Sequence, residues 1–327
     1  MEHWVKNREE GLQQAGLTRV NALMQIAYGM TRGRASAEDR KELRITLGAT
    51  RDDAFQPSLS FANGDWTMAH AVARGDLALA SINPSAYLTM AHRGTGPYRE
   101  RLPLRPIAVM PTWDRMFFAV QERTGIRSLS DIAANKPALR VSVRRNPGHG
   151  TRFVMDELFG AHGFALGDFE VWGGEVVYVD TPNDPVRFAA IRDGSLDAVF
   201  DEGIKGWGVV AVDSGMRCLD LDPQSLAHLA ALGWPVGPVK THFPKLPEEI
   251  TAVSFGGWPL IVREDLPDEV AYSMCAALDA GRSRIAFDYD DPVELSDLCG
   301  GTDAAPRDVP LHPGAARYYR EHGCIIE

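Results

Sequence analysis

The feature of this sequence that most restricts its fold is an alternation of short apolar runs with segments of helical spacing. Residues 77–82 form one apolar run, and the segment that follows opens like a helix, with Pro84 suited to a first turn. Two further strand-like runs lie at 106–111 and 116–121. Such an alternation predicts a mainly parallel sheet with helices on its faces, so we expect an α/β protein.

A second series of alternating elements begins at Leu139. Residues 139–143 read as a strand, a glycine-containing turn follows over 144–151, and a late strand-like segment lies at 250–262. This pattern predicts one lobe, an inserted second lobe and a return to the first, and 327 residues are enough for two domains. The predicted bounds are 1–42 for an N-terminal helical extension, 43–136 plus 240–327 for lobe 1, and 137–239 for lobe 2.

The N-terminal extension carries one apolar stripe. Leu17, Val20, Leu23 and Met24 recur at helical spacing. We expect this stripe to pack against the body of the protein or against a second copy, and in the second case the protein would be a homo-oligomer. The opposite face is polar, which argues against insertion into a membrane.

The charge balance restricts the partners. The formal net charge is −10, from 44 acidic and 34 basic residues. A strongly acidic chain lacks the basic face that nucleic acid needs, so we expect no nucleic-acid partner. A small anionic ligand is compatible with this balance, because a pocket can be locally positive.

The sequence indicates neither a metal nor a cofactor. Cys218, Cys275, Cys299 and Cys324 lie far apart, without metal-ligand spacing, which predicts free thiols. We find no nucleotide-binding fingerprint and no nucleophile elbow. Residues 1–10 do not have the pattern of a secretory signal. As the sequence stands we expect a cytoplasmic protein, and a periplasmic one if the true start lies upstream.

One turn has the pattern of an anion site. Gly148, His149, Gly150 and Thr151 follow a predicted strand and open a helix. Backbone N–H groups at a helix start are unpaired and favour negative charge, and glycines let a ligand approach the backbone. We expect Thr151 to cap the helix or to bond a ligand oxygen. His149 can donate to a carboxylate or move a proton, or it can simply face solvent.

Arginines and carboxylates also follow predicted strands. Arg51 follows the first strand, and Arg144 and Arg145 follow the first strand of lobe 2. An arginine can hold a carboxylate through two parallel hydrogen bonds, and the alternative is a solvated surface position. Asp201 and Glu202 follow another strand of lobe 2, where they can bind a cationic group, act as acid or base, or complement a helix dipole.

Three further side chains are candidates in lobe 1. Asn83 and Ser85 lie at a strand-to-helix junction, where polar groups orient ligands or cap the helix. Trp113 lies between two predicted strands, where it can stack on a flat ligand or serve lobe packing.

Five segments occur in a characteristic order, namely 63–83, 125–132, 147–151, 192–200 and 311–323. The third reads PGHGT and the fifth reads LHPGAARYYREHG. Taken in this order, they resemble the TAXI class of receptors of tripartite ATP-independent periplasmic (TRAP) transporters. The fifth segment is very similar to the closing helix of that family, and His149 stands in the third where the family usually has serine.

This resemblance covers roughly residues 43–323. It implies a two-lobed type II periplasmic-binding-protein fold with a hinged cleft, to which this chain adds its N-terminal helical segment. It also implies binding of a small carboxylate-containing molecule in the interlobe cleft. If the protein is secreted, membrane transporter subunits are its expected partners.

Two other functions stay open at this point. The first is a cytoplasmic, cofactor-independent enzyme on the same fold, a decarboxylase or lyase acting on a carboxylic acid, with His149 and Glu202 as catalytic candidates. The second is a ligand-sensing partner of a cytoplasmic complex, with the N-terminal helices as its interface.

Overall fold

The structure is a computed structural model. It describes residues 21–26, 66–285, 287, 289 and 292–324, and the backbone alone of 42–46 and 58–64. The predicted site residue Arg51 and the predicted stripe residues Leu17 and Val20 lie outside the described residues.

The chain divides into two compact units. Unit 1 comprises Met1–Trp113 and Gly256–Glu327, and unit 2 comprises Asp114–Phe255. We predicted the lobe boundaries near 136 and 240. The first observed boundary lies about twenty residues earlier than predicted, and the second lies about fifteen residues later. The difference arises because the strands at 115–121 and 251–254, which we placed in lobe 1, pair within the sheet of unit 2.

Unit 1 is built from strands and helices of both chain segments. Its helix α1 is described over residues 21–26. The strands are β1 (Glu42–Thr46), β2 (Ser58–Gly64), β3 (Leu79–Ile82), β4 (Leu104–Met110) and β12 (Trp258–Arg263). The remaining helices are α2 (Thr67–Arg74), α3 (Ala86–Arg93), α10 (Asp268–Gly281) and α11 (Pro313–Glu321).

In the described part of unit 1, the sheet has the order β1-β2-β3-β12-β4. β2 and β3 run parallel, whereas β12 is antiparallel to both β3 and β4. The core packs α10 and α11 on this sheet, with Ile107, Leu260, Leu278 and Tyr319 fully buried. Helix α2 ends at Gly75, whose φ of 81° is a left-handed conformation that favours glycine.

Unit 2 alternates strands and helices more regularly. Its strands are β5 (Arg115–Gln121), β6 (Arg140–Arg144), β7 (Glu175–Val179), β8 (Ala198–Asp201), β9 (Met216–Cys218), β10 (Val236–Pro238) and β11 (Thr251–Ser254). Its helices are α4 (Leu129–Asn135), α5 (Gly150–Ala161), α6 (Asp168–Val171), α7 (Pro185–Arg192), α8 (Trp207–Asp213) and α9 (Pro223–Leu232).

The sheet of unit 2 has the order β10-β11-β5-β8-β6-β7, with β9 also paired to β5. β6 is parallel to both β7 and β8, and the other pairings are antiparallel. The prediction of a mainly parallel sheet is therefore wrong for both units, because β5 and β12 insert as antiparallel strands. The α/β class itself is confirmed.

Aromatic rings fill the core of unit 2. Phe118 on β5 and Phe200 on β8 have ring centroids 5.2 Å apart. Phe159 on α5 lies 5.8 Å from Phe200 and 6.0 Å from Phe169 on α6. These contacts hold α5 and α6 on the sheet and so fix the start of α5 relative to the ends of the strands.

The described cysteines are free thiols, three of them buried and Cys324 partly buried. Among the residues that the structure describes, none of the helices has both the length and the apolar character that a bilayer crossing requires.

Helix α1 packs into the core of unit 1. Ala22 and Ile26 are fully buried and Leu23 is 4% exposed, whereas Met24 is 36% exposed. Asn21 Nδ2 donates to the carbonyl oxygen of Arg284 at 2.9 Å. The predicted stripe is therefore correct at Leu23 and wrong at Met24, since Ile26 takes the buried position one turn on.

We expect Leu23→Ala to lower the free energy of unfolding by about 2–4 kcal/mol, because it leaves a cavity in a packed core. Met24→Ala is the matched control and should change it by less than about 0.5 kcal/mol. Chemical denaturation followed by circular dichroism measures both. Equal stabilities of the two variants would contradict the packing of α1.

Candidate ligand-binding site

The carboxyl ends of β6 and β8 carry a buried charge cluster. Arg144 ends β6 and Asp201 ends β8, and the two strands are parallel neighbours, so both side chains lie at the same edge of the sheet. Arg144 Nε donates to Asp201 Oδ2 at 2.8 Å and to Oδ1 at 3.1 Å. Asp201 is fully buried and Arg144 is 8% exposed.

A second guanidinium reaches the same carboxylate. Arg187 on α7 is fully buried, and its Nη1 donates to Asp201 Oδ2 at 2.6 Å. Its Nε donates to Ser142 Oγ at 2.9 Å, and its guanidinium lies 5.8 Å from the ring of Trp207. Arg187 Nη2 has no hydrogen-bond partner among the described residues. Two buried cations thus share one fully buried carboxylate.

Glu202 extends the cluster toward solvent. It accepts a hydrogen bond from Arg144 Nη2, and its side chain is 17% exposed. Its backbone N–H donates to Asp201 Oδ1 at 2.9 Å, and its carbonyl accepts from Trp207 Nε1 at 2.7 Å. The position of Glu202 is therefore fixed by its own backbone as well as by its ion pair.

Asp114, which the sequence analysis did not select, lies against Glu202. Its carboxylate accepts from the backbone N–H of Arg115 at 2.7 Å and from that of Gly203 at 3.0 Å. Burial raises the pKa of Asp114 well above its usual range, and the neighbouring Glu202 carboxylate raises that pKa further. A protonated Asp114 hydrogen-bonded to an ionised Glu202 is the arrangement that two adjacent carboxyl groups favour.

Gly203 makes this approach possible. Its φ is +72°, and a Cβ there would lie 2.9 Å from the Pro182 side chain. A larger residue would therefore push the N–H of Gly203 away from Asp114.

The predicted anion turn opens α5 with a histidine cap. His149 Nδ1 accepts from the backbone N–H of Thr151 at 3.3 Å and lies 3.0 Å from Thr151 Oγ1. The cap is thus His149 and not Thr151, whose side chain is fully buried. The N–H of Gly148 donates to Asn146 Oδ1 at 3.0 Å, so it is already satisfied within the turn. Gly150 is the first residue of the helix.

His149 also approaches the cluster. Its Nε2 lies 3.9 Å from Glu202 Oε1. Seven of the predicted site residues therefore lie in one region of unit 2, namely Arg144, Gly148, His149, Gly150, Thr151, Asp201 and Glu202. The adjacent arginine departs from the expectation. Arg145 is exposed and pairs with Asp180 Oδ1 at 2.8 Å and with the carbonyl of Tyr178 at 3.0 Å.

Unit 1 contains a separate polar set at the end of β3. Ser81 Oγ, Asn83 Oδ1 and Ser85 Oγ are buried and have no hydrogen-bond partner among the described residues. Ser85 occupies the cap position of α3, but its side chain makes no capping hydrogen bond. Helix capping therefore does not account for Ser85, and its hydroxyl keeps its hydrogen-bonding capacity. Ser81 was not selected from the sequence, because it lies inside an apolar run.

Trp113 is 4% exposed, and its indole N–H donates to Asp303 Oδ2 at 2.9 Å. This geometry favours packing in unit 1 over stacking on a ligand. A shallow surface pocket of unit 1, lined by 75–78, Arg263 and 265–267, contains none of the predicted site residues. Within the described ranges, no group of His, Cys, Asp and Glu side chains has an arrangement that could hold a metal ion.

A model of the NMT1-like family matches residues 52–323. The chain belongs to the NMT1-like family. None of the curated proteins matches its sequence. Membership of the TAXI class stays a prediction.

The NMT1-like chain is similar to solved structures at low identity. A Xanthomonas citri protein bound to chloride ion, XAC2383, is 12% identical over 78% of each chain, with a TM-score of 0.36. The alkanesulfonate-binding protein SsuA of Xanthomonas axonopodis pv. citri, bound to MOPS, is 12% identical over 82% of this chain and 73% of that one, with a TM-score of 0.30. A TRAP periplasmic solute binding protein of Rhodobacter sphaeroides is 12% identical over 83% and 75%, with a TM-score of 0.32.

In this NMT1-like protein we expect Asp201→Asn to lower the free energy of unfolding by about 3–5 kcal/mol, because it leaves buried guanidinium groups without their shared counter-charge. Asp180→Asn is the matched control: it removes the exposed partner of Arg145 and should have little effect. Denaturant titration of both variants checks this. Similar unfolding midpoints for Asp201→Asn and Asp180→Asn would show that the buried ion pairs of Asp201 do not stabilise the fold.

The raised pKa of Asp114 predicts a pH dependence of stability. Between the ordinary value of 3.8 and the higher folded pKa, the folded state holds more protons than the unfolded state, so the contribution of Asp114 to stability is lost as pH rises. Asp114→Asn imitates the protonated carboxyl and removes this loss. We expect the variant to gain stability relative to wild type on going from about pH 4 to pH 8. A difference in unfolding free energy between variant and wild type that does not change with pH would show that the pKa of Asp114 is not raised.

Proposed function

We propose that this NMT1-like protein is a TAXI-type solute-binding protein and that unit 2 binds the carboxylate group of its ligand beside Arg144 and the start of α5. Binding of a small molecule is what the family supports in general. The carboxylate specificity and the TAXI assignment are the proposal. Delivery of the ligand to membrane transporter subunits, and with it a periplasmic location, belong to the same proposal.

One observation carries this function. Two buried guanidinium groups and the first turn of a twelve-residue helix meet at the carboxyl ends of two parallel strands. That edge of an α/β sheet is where ligands of such folds bind. A guanidinium and a helix start both favour an anion, and the unsatisfied Nη2 of Arg187 is a further buried donor of the same charge.

Unit 1, taken by itself, also carries polar groups that a small molecule can use. Ser81, Asn83 and Ser85 offer two hydroxyls and an amide oxygen without described partners. Buried groups of this kind are costly unless they are hydrogen-bonded, and a ligand can supply the bond. A few such groups commonly fix the orientation of a bound molecule.

Asp114 gives the enzyme alternative a specific basis. A carboxyl group with a raised pKa, an adjacent carboxylate and a histidine 3.9 Å from that carboxylate form a set that can both give and accept protons. A decarboxylase or lyase needs such a group beside its substrate. Formation of product from the bound acid, followed by NMR, distinguishes this alternative from simple binding.

We expect Gly150→Val to weaken carboxylate binding at least about tenfold, because a branched side chain at the first residue of α5 hinders approach to the backbone N–H groups. Gly160→Val is the matched control, since a Cβ at Gly160 meets nothing within 4 Å at the other end of the same helix. Isothermal titration calorimetry with acetate, benzoate and succinate measures both. An unchanged affinity of Gly150→Val for these carboxylates would show that the anion does not bind at this turn.

A further inference from the structure

The guanidinium of Arg144 is already occupied. Its Nε bonds Asp201, its Nη1 donates to the carbonyl of Asp180 at 3.3 Å, and its Nη2 donates to Glu202. Each of its three guanidinium nitrogens already donates, so a carboxylate ligand that takes two parallel hydrogen bonds from Arg144 competes with one of these acceptors. This is a competition between two acceptors for one donor group and not the filling of a vacant position.

Glu202 is the acceptor that a ligand can replace. Asp201 is fully buried and is held by Arg187 as well as by Arg144. The carbonyl of Asp180 belongs to the backbone. Glu202 has a single described ion pair with an arginine, and its side chain is 17% exposed. Of the two carboxylates that pair with Arg144, Glu202 is therefore the more accessible one.

A displaced Glu202 carboxylate would lie among acidic groups. From the chain just before β5, Asp114 faces it, and from β8, Asp201 precedes it in sequence and accepts its backbone N–H. From the start of α5, His149 faces it at 3.9 Å. Once Arg144 binds the ligand, Glu202 loses its counter-charge and lies beside the negative charge of the ligand, and both changes favour its protonated form.

We infer that a carboxylate ligand binds by displacing Glu202 from Arg144, and that Glu202 takes up one proton as the ligand binds. The inference rests on the proposed function. The charge balances: the ligand brings one negative charge, the proton taken from solvent brings one positive charge, and the net charge of the cluster is unchanged. Asp114 keeps the proton that it shares with Glu202 before binding.

The groups that surround Glu202 fix the sign of the pH dependence. Arg144 and, through Asp201, Arg187 are cationic, whereas Asp114, Asp201 and the ligand are acidic. Because the complex holds one more proton than the free protein, affinity rises as pH falls. Between the pKa of Glu202 in the free protein and its higher pKa in the complex we expect about a tenfold loss of affinity per pH unit, and outside that interval no further change.

Calorimetry tests this with benzoate and acetate, which stay fully ionised between about pH 6 and pH 8. Bis-Tris, imidazole and Tris serve as buffers because they are cations and cannot compete for an anion site, and their enthalpies of ionisation differ. We expect the observed binding enthalpy at one pH to vary linearly with the buffer's ionisation enthalpy, with a slope that corresponds to uptake of one proton per ligand.

Glu202→Gln imitates the protonated side chain. We expect it to bind benzoate at about pH 8 at least about tenfold more tightly than wild type, with no proton uptake and no pH dependence. Arg145→Gln is the matched control, since Arg145 is the exposed neighbour of Arg144, and it should keep the wild-type affinity and slope. Circular dichroism spectra that match wild type confirm that both variants fold.

The outcomes separate the two proposals. If wild type binds benzoate or acetate without proton exchange, or if Glu202→Gln binds more weakly and still takes up a proton, the inference is wrong and the proposed function stands. If neither wild type nor Glu202→Gln binds any carboxylate of the panel, the proposed function fails and the inference fails with it.

Discussion

The buried carboxylate of Asp201 is the constraint on which the described part of unit 2 depends. An isolated ion at a fully buried position would be prohibitively costly, so its cations must come from fixed places. They come from the end of β6 and from α7, as Arg144 and Arg187. The ion pairs therefore join two strands and a helix at one edge of the sheet, and every side chain of the candidate site is placed relative to that edge.

The same network organises the backbone beyond β8. Asp201 Oδ1 accepts the N–H of Glu202, and Asp114 accepts the N–H of Gly203, so two successive peptide groups are held by carboxylates at the end of β8 and just before β5. The start of β5 is thereby tied to the chain that leaves β8. This explains why the acidic pair of Asp114 and Glu202 forms although the two residues lie far apart in sequence, and why Gly203, with its positive φ, is needed between β8 and α8.

Local patterns in the sequence were sufficient for most elements but not for their pairing. β5, β6 and the start of α5 lie where the sequence predicts them, because apolar runs and glycine-containing turns are local signals. The assignment of β5 to lobe 1 failed because its partners, β8 and β11, come much later in the chain, and an apolar run does not specify its neighbours. Ser81 was missed because it lies inside an apolar strand. Asp114 was missed because it acquires its role only through contact with Glu202 and Gly203, which come much later in the chain.

An acidic protein can bind an anion at such a place because the ion pairs are already formed. Creating a new buried cation for each ligand would carry a large desolvation cost, whereas exchanging one carboxylate for another at Arg144 leaves the number of buried charges the same. In the exchange that we infer, the displaced Glu202 remains beside Asp114, where a carboxyl group finds a hydrogen-bonding partner in either protonation state. A neutral molecule would offer Arg144 no equivalent of the carboxylate that it replaces. On this proposal, selectivity for anions follows from the competing acceptor, independently of the net charge of the chain.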